Sequence, residues 1–473
     1  MHTAFAPGSY AKFLSDISDS QLDEDAAGRN GNVPEVCPNY GHAPNTTDPP
    51  FGVGYAVILW NSYRYYGDKR LLAKHYGGVK AFAETLVVRA GGGGARAGVL
   101  NHSTSTHGDW VSVANKTAGA TTCSGKAALD HYANATCCRF MECPDPVVNG
   151  FYYVEMFRIL AAAADVLGHA ADASRYEALA SDAASSLAAA EYRAADRKLG
   201  YGYMADQAMG LALGSPGGVL PAGDVAAVAA GLAADVAQQG GHLDTGMFGT
   251  KILLPTLSST GFGDTAIGVL TQTTAPSWGA WITQYNATTL YEMWGAFSDV
   301  GGPKGVASHN HGWAASFLPW LYQTLVGISM DDDDYGTGVL LSSRAGSSLP
   351  TGYVRFRVAP RLLGELPAAS ATMVTARGNI SVSWSRTSTV VWLNVSIPVG
   401  ADTAVTVPLP RGGSPGCRPV RATVHEGAQL VWQRGKFKAG VRGISGAKAA
   451  TTAGLSGVEV TTGSGSYRFS AAC

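Results

Sequence analysis

Three short segments concentrate groups that can act on a sugar. Hydrolysis of a glycoside needs an acid to protonate the leaving oxygen, and either a base for water or a nucleophile. Around Trp278 to Trp294 the chain reads PSWGAWITQYNATTLYEMW, with Glu292 between Tyr291 and Trp294 in a setting poor in charge. A carboxylate among aromatics is expected to have a raised pKa and to work as a base, although a Glu of this kind more often faces solvent on a helix. His107-Gly108-Asp109-Trp110 puts a carboxylate beside an aromatic after a glycine. That suits a sugar hydroxyl, and equally a turn with an N-capping Asp. Ser308-His309-Asn310-His311-Gly312-Trp313 offers histidines that open a helix and can contact a ligand, or simply cap and pack. With no second matched His/carboxylate set, no metal is expected, and no cofactor.

These residues need a scaffold. Helical spacing runs from residue 1 to about 328. Helices are predicted at Tyr10 to Gln21, Val53 to Tyr66, then to about Arg89 with Asp68 as N-cap, Asn149 to Leu167, Ala171 to Ala190, a run through Val225 and Val236, Lys251 to Ser258, Gly263 to Leu270 and Gly312 to Val326. The total is about eleven short helices in pairs. Such an array can close into a ring around a funnel whose loops form a concave pocket. The loop from about Gly91 to Pro146 is too long for a plain connection. Its Gly91 to Gly94 run reads as a flexible turn, with no phosphate-loop context. Asp331 to Asp334 reads as a solvated linker rather than a calcium loop. Beyond it, Tyr353 to Val358, Ile380 to Trp384, Val390 to Ile397 and Thr403 to Val407 alternate as strands of a β-sandwich. The division is therefore 1–330 helical barrel, 331–350 linker and 351–473 β-sandwich.

Composition fits a globular chain: 46% apolar and 15% charged over 473 residues, with net charge -1. That balance offers no basic face for nucleic acid or an anionic membrane, and no apolar run reaches the roughly 20 residues of a membrane span. Asn-x-Ser/Thr triplets at Asn45, Asn101, Asn115, Asn134, Asn286, Asn379 and Asn394 point to a glycosylated secretory protein. Cys123, Cys137, Cys138 and Cys143 crowd together without zinc spacing and read as a disulfide-stapled loop. Cys417 and Cys473 are expected to pair, which leaves Cys37 over. The start Met1-His2-Thr3-Ala4-Phe5 lacks the features of a signal peptide, so the true N-terminus is expected to lie upstream.

Over nearly its whole length the sequence resembles glycoside hydrolase family 78, the α-L-rhamnosidases. The resemblance is carried by Gly31-Asn32-Val33-Pro34-Glu35-Val36, Asp48-Pro49-Pro50-Phe51-Gly52, Gly108-Asp109-Trp110 and Gly241-His242-Leu243-Asp244-Thr245-Gly246. Its strongest parts are Pro276-Ser277-Trp278-Gly279, Thr288-Thr289-Leu290-Tyr291-Glu292-Met293-Trp294 and Asn310-His311. It implies an (α/α)6 barrel of the six-hairpin type, first helix absent, followed by a β-sandwich. The implied reaction is inverting hydrolysis of terminal α-L-rhamnosyl residues, with two carboxyl groups about 6.5–9.5 Å apart. It implies Glu292 as general base, with Asp109, Trp110, Trp278, Trp294, His311, Asp48 and Phe51 at the sugar; Phe51 replaces the usual Trp, and Tyr291 the usual Trp before the base. The family's acid lies in an Arg/Glu-rich segment ending in Gly-Trp that is not found here and would precede Met1. The partner implied is a rhamnose-containing glycoside, and the alternative is an inactive barrel that still binds sugar.

Overall fold

A computed structural model describes residues 6–28, 30–39, 48–91, 108–112, 145–214, 218–294, 308–330, 351–411, 417–452 and 455–473. The four clustered cysteines, Gly92 to Gly94, Asp331 to Asp334 and the triplets at Asn45, Asn101, Asn115 and Asn134 lie outside the described residues.

The helical part runs α1 (Pro7–Ala26), α2 (Pro49–Gly52), α3 (Gly54–Tyr66), α4 (Lys69–Arg89), α5 (Pro146–Leu167) and α6 (Ala170–Glu191). A small hairpin of β1 (Tyr192–Arg193) and β2 (Lys198–Leu199) leads to α7 (Met204–Ala212), α8 (Val225–Gln238), α9 (Met247–Ser259), α10 (Gly263–Leu270) and α11 (Trp278–Thr283). Among the described residues α3/α4, α5/α6, α7/α8 and α9/α10 pack as hairpins. The first helix of each pair is the inner one. α5 is buried around nearly its whole circumference, whereas α6 buries one stripe, Tyr176, Ala180, Ala183, Ala184 and Leu187. Inner helices pack on one another, α3 on α5, α5 on α7 and α7 on α9, and so form the ring.

Local chemistry sets the ends. Asp68 caps α4 by accepting from Arg70 and Leu71 amides, and Asp145 caps α5 through Val147 and Val148, with Pro146 at the first position. Gly67 and Gly168, at φ 74° and 84°, close α3 and α5 in the left-handed region that glycine enters without a Cβ penalty. The expected helix Gly312 to Val326 is not one helix. It is a 3-10 turn (Gly312–Ala315), α12 (Phe317–Trp320) and a π turn (Leu321–Leu325). Pro319 supplies no amide to the turn before it, which breaks regular helical bonding.

The C-terminal part comprises β3 (Ile328–Met330), β4 (Arg355–Val358), β5 (Ala368–Thr375), β6 (Gly378–Arg386), β7 (Val390–Ile397), β8 (Asp402–Pro408), β9 (Thr423–Glu426), β10 (Gln429–Gln433), β11 (Lys436–Phe437), β12 (Ile444–Thr452), β13 (Leu455–Thr462) and β14 (Gly465–Ala472). One sheet is ordered β11-β10-β9-β14-β7-β6-β5, the other β12-β13-β8-β4-β3. All neighbours are antiparallel except β4 and β8. Alternation is clean: on β7, Val391, Leu393, Val395 and Ile397 are buried and Trp392 and Asn394 exposed. Cys417 and Cys473 form a disulfide, while Cys37 is free and touches the Ser20 hydroxyl. No described helix is long and apolar enough to cross a membrane.

Candidate active site

The site begins where α9 begins. Gly108 to Ser112 forms a turn laid over the N-terminus of that helix. Asp109 supplies the contact: Oδ2 accepts the Gly246 amide at 2.7 Å, and Oδ1 accepts Phe248 and Gly249 amides at 2.9 and 2.8 Å. It caps a helix 137 residues away in sequence. The Met247 amide adds a bond to the Trp110 carbonyl at 2.7 Å. Two glycines permit this approach. A Cβ on Gly246 would stand 2.2 Å from the Trp110 carbonyl oxygen, and one on Gly249 2.6 Å from Asp109 Oδ2. Val111, β-branched, sits at φ 56°, a strained conformation next to Trp110.

The turn delivers Trp110 to Glu292. The half-buried Trp110 indole N–H donates to Glu292 Oε1 at 3.4 Å, and the Ser308 amide donates to Oε2 at 2.7 Å. The backbones are also joined: the Glu292 amide donates to the Ser308 carbonyl at 2.8 Å, and the His311 amide to the Leu290 carbonyl at 2.9 Å. The Trp313 indole donates to the Glu292 carbonyl at 3.1 Å. Two ordered segments, 288–294 and 308–313, thus hold one carboxylate with both oxygens oriented and half exposed.

Behind them lies an aromatic wall. Trp294 stacks on Trp281 at 4.9 Å and meets Trp278 and Trp313 edge-on at 5.0 and 5.4 Å. The family resemblance places Trp278 and Trp294 at the sugar. Here they are 6% and 3% exposed, and their indoles donate to the Ala314 and Thr245 carbonyls, both at 2.8 Å. Buried to this degree and packed against Trp281, Trp313 and Phe317, they support the wall from within. Asp109 takes the N-capping role that its local sequence offers equally with a hydroxyl contact, both oxygens accepting backbone amides. Trp281 was not singled out from the sequence; its place in the stack depends on contacts that its neighbours in the chain do not reveal.

The remaining expected residues gather around the same end. Phe51, half-buried, meets Phe248 edge-on at 5.2 Å, and Phe248 meets Tyr152 at 5.3 Å. Asp48, 1% exposed, stands at the N-cap of α2. His311 is half-buried, and its Nδ1 has no hydrogen-bond partner among the described residues. His309 stacks on Tyr291 at 4.7 Å.

Buried acidity underlies the turn. Burial pushes the Asp109 carboxyl up to about 7, against the pull of its three amides, and nearby Asp145 adds to the rise. Burial also raises Asp206, on α7, well above the usual carboxylate range, and the adjacent Asp145 raises it further. Two buried carboxyls this close favour holding one proton between them. Among the described residues no group of three His, Cys, Asp or Glu side chains could hold a metal.

Comparison with known proteins agrees with this architecture. Residues 4–325 match the family described as bacterial alpha-L-rhamnosidase 6 hairpin glycosidase domain, and residues 346–416 match the bacterial alpha-L-rhamnosidase C-terminal domain. An alpha-L-rhamnosidase of Streptomyces avermitilis is 27% identical over 399 residues, 84% of this chain and 32% of that protein. One from Formosa agariphila is 23% identical over 406 residues, 84% of this chain and 37% of that protein. The chain thus spans about a third of the length of these curated relatives. The solved alpha-L-rhamnosidase from Dictyoglumus thermophilum aligns with a TM-score of 0.74 at 25% identity, covering 99% of this chain and 44% of that one. The Streptomyces avermitilis enzyme complexed with L-rhamnose shares the fold at a TM-score of 0.70 and 23% identity, covering 98% and 37%. With a six-hairpin domain matched over most of its length and a C-terminal β domain after it, the chain belongs to the bacterial α-L-rhamnosidase six-hairpin glycosidase family.

Proposed function

We propose that this chain is the barrel and C-terminal domain of an α-L-rhamnosidase, and that Glu292 is its general base. The observation that carries the reading is the Glu292 carboxylate held between the Trp110 indole and the Ser308 amide. With Oε2 held by an amide, Oε1 takes one long bond among the described residues, from Trp110, and is left to act on water. It takes a proton from that water as the oxygen attacks the anomeric carbon from the face opposite the departing aglycone, which inverts the centre. Trp110, Phe51 and His311 would line the sugar. Asp109, Trp278 and Trp294 act through position: the first clamps the Trp110 turn to α9, and the others support the wall. The chain spans about a third of the length of its curated relatives, so protonation of the leaving oxygen is proposed for the whole protein.

The test is a leaving-group series. Dinitrophenyl α-L-rhamnoside departs without an acid, whereas a methyl rhamnoside requires one. The chain alone is expected to cleave the first slowly and the second not at all, with release of β-L-rhamnose. Glu292→Gln should remove the residual turnover and leave rhamnose binding intact. Turnover that survives Glu292→Gln would overturn the role. Binding without any cleavage, even of the dinitrophenyl substrate, would favour an inactive sugar-binding barrel.

We also propose passage through the secretory pathway. The Cys417–Cys473 disulfide and the exposed triplet residues Asn286, Asn379 and Asn394 support it. Recovery of the native protein in the cytosol after cell fractionation would contradict it.

A further inference from the structure

The outer face of the seven-stranded sheet is paved with short polar side chains. Register sets Ser383 opposite Asn394 and Asn394 opposite Arg468, and in the next row Ser381 opposite Ser396 and Ser396 opposite Ser466. They line a shallow groove of about 370 Å³ across β5, β6, β7 and β14. Besides Arg468, a large aromatic side chain stands on this face. Trp392, 41% exposed, lies two residues before Asn394 on the same strand and face. Residues i and i+2 of a strand project to one side, roughly 6.6–6.8 Å apart, within the span of one pyranose ring and its linkage.

Asn394-Val395-Ser396 is an acceptor triplet, and Asn394 is exposed. Its Nδ2 donates to Ser383 Oγ at 3.1 Å. A glycosylated amide keeps one N–H, so this bond can persist and aim the attached sugar along the sheet. We propose that Asn394 carries an N-linked glycan whose first N-acetylglucosamine packs on the Trp392 indole, with the core sugars in the groove. In the attachment the C1–O bond of a polyprenyl-diphosphate oligosaccharide breaks and a C1–Nδ2 bond forms. The amide loses one proton and the polyprenyl diphosphate leaves. The glycan covers an indole that otherwise faces water, and its hydroxyls meet the serine rows. The inference rests on the proposed secretory route, and forced secretion separates the two, since acceptor use in a host does not depend on where the native protein resides.

The full chain is secreted from a eukaryotic host, treated with peptide N-glycosidase in heavy-oxygen water, and mapped by mass spectrometry, with Asn286 read in the same digest. Most molecules should be tagged at Asn394. Enzymatic removal of the glycan should lower Tm by about 1–2 °C in the native sequence and leave it unchanged in Trp392→Ala. An untagged Asn394, whether or not Asn286 is tagged, overturns the attachment. An equal Tm loss in Trp392→Ala overturns the packing on the indole.

Discussion

The indole N–H of Trp110 donates to Glu292 Oε1 at 3.4 Å across 182 residues of sequence. This bond joins the turn that clamps α9 to the segment that carries the carboxylate. Trp110→Phe keeps a ring in the turn and removes the donor. In the whole enzyme kcat/KM should fall about tenfold, the worth of one hydrogen bond to a charged group. Steady-state kinetics on an aryl rhamnoside reads the loss, and unchanged kinetics would show that Trp110 does not position the base.

Gly246→Ala places a Cβ against two backbone carbonyls, those of Trp110 and Asp109, which cannot rotate away. Destabilisation of about 2–3 kcal/mol is expected from this overpacking, together with weaker rhamnose binding. Gly231→Ala, on the open face of α8 with nothing near its Cβ, should instead stabilise by about 0.5–1 kcal/mol. Urea unfolding of the two variants makes the comparison.

Acidity provides a third test. Asp109 and Asp206 both stand above their ordinary carboxylate value in the folded chain, Asp109 at about 7. A group raised on folding contributes stability that is full below its unfolded pKa and is lost as pH rises through the folded one. Stability should therefore fall between pH of about 4 and about 8. Asp206→Asn, which keeps an acceptor for the Tyr203 amide, should flatten that slope and raise stability at the alkaline end. Calorimetric Tm against pH reads both effects; an unchanged slope would contradict the shared-proton account.

Trp294→Phe removes the donor to the Thr245 carbonyl and part of the stack on Trp281. The buried carbonyl is then unsatisfied, and about 2 kcal/mol should be lost from stability. KM for a rhamnoside should hold, because the indole faces the interior. A large KM change with intact stability would return Trp294 to the sugar.

What the sequence disclosed follows from how local each signal is. The hairpin α5/α6 was legible because one glycine, Gly168, ends α5 between two long helical runs. β7 was legible because its alternation is strict over Val390–Ile397. α7 was not anticipated: Met204–Leu211 are all buried, so no polar face marks a helical period. Glu292 stood out by its aromatic surroundings, but the pairing of Trp110 with it arises only through the Asp109 clamp on α9. For Trp278 and Trp294 the sequence shows an aromatic in the right segment, and which face it turns to solvent is decided by packing. The broken run at 312–325 carries its own signal in Pro319, outweighed there by an apolar period.

β3 has a further consequence for the whole chain. It follows directly from the barrel's last turn and pairs with β4 as the edge of the five-stranded sheet, Ile328 with Val358 and Met330 with Phe356. Bonds across this seam run from the Arg361 amide to the Thr324 carbonyl, from the Ala359 amide to the Gly327 carbonyl, and from the Trp384 indole to the Leu325 carbonyl. Neither half can melt without stripping partners from the other, so the two are expected to unfold together, in a single calorimetric transition. Loss of the β domain is then expected to lower the stability of the barrel with it, which makes that domain ballast for the sugar site rather than a detachable appendage.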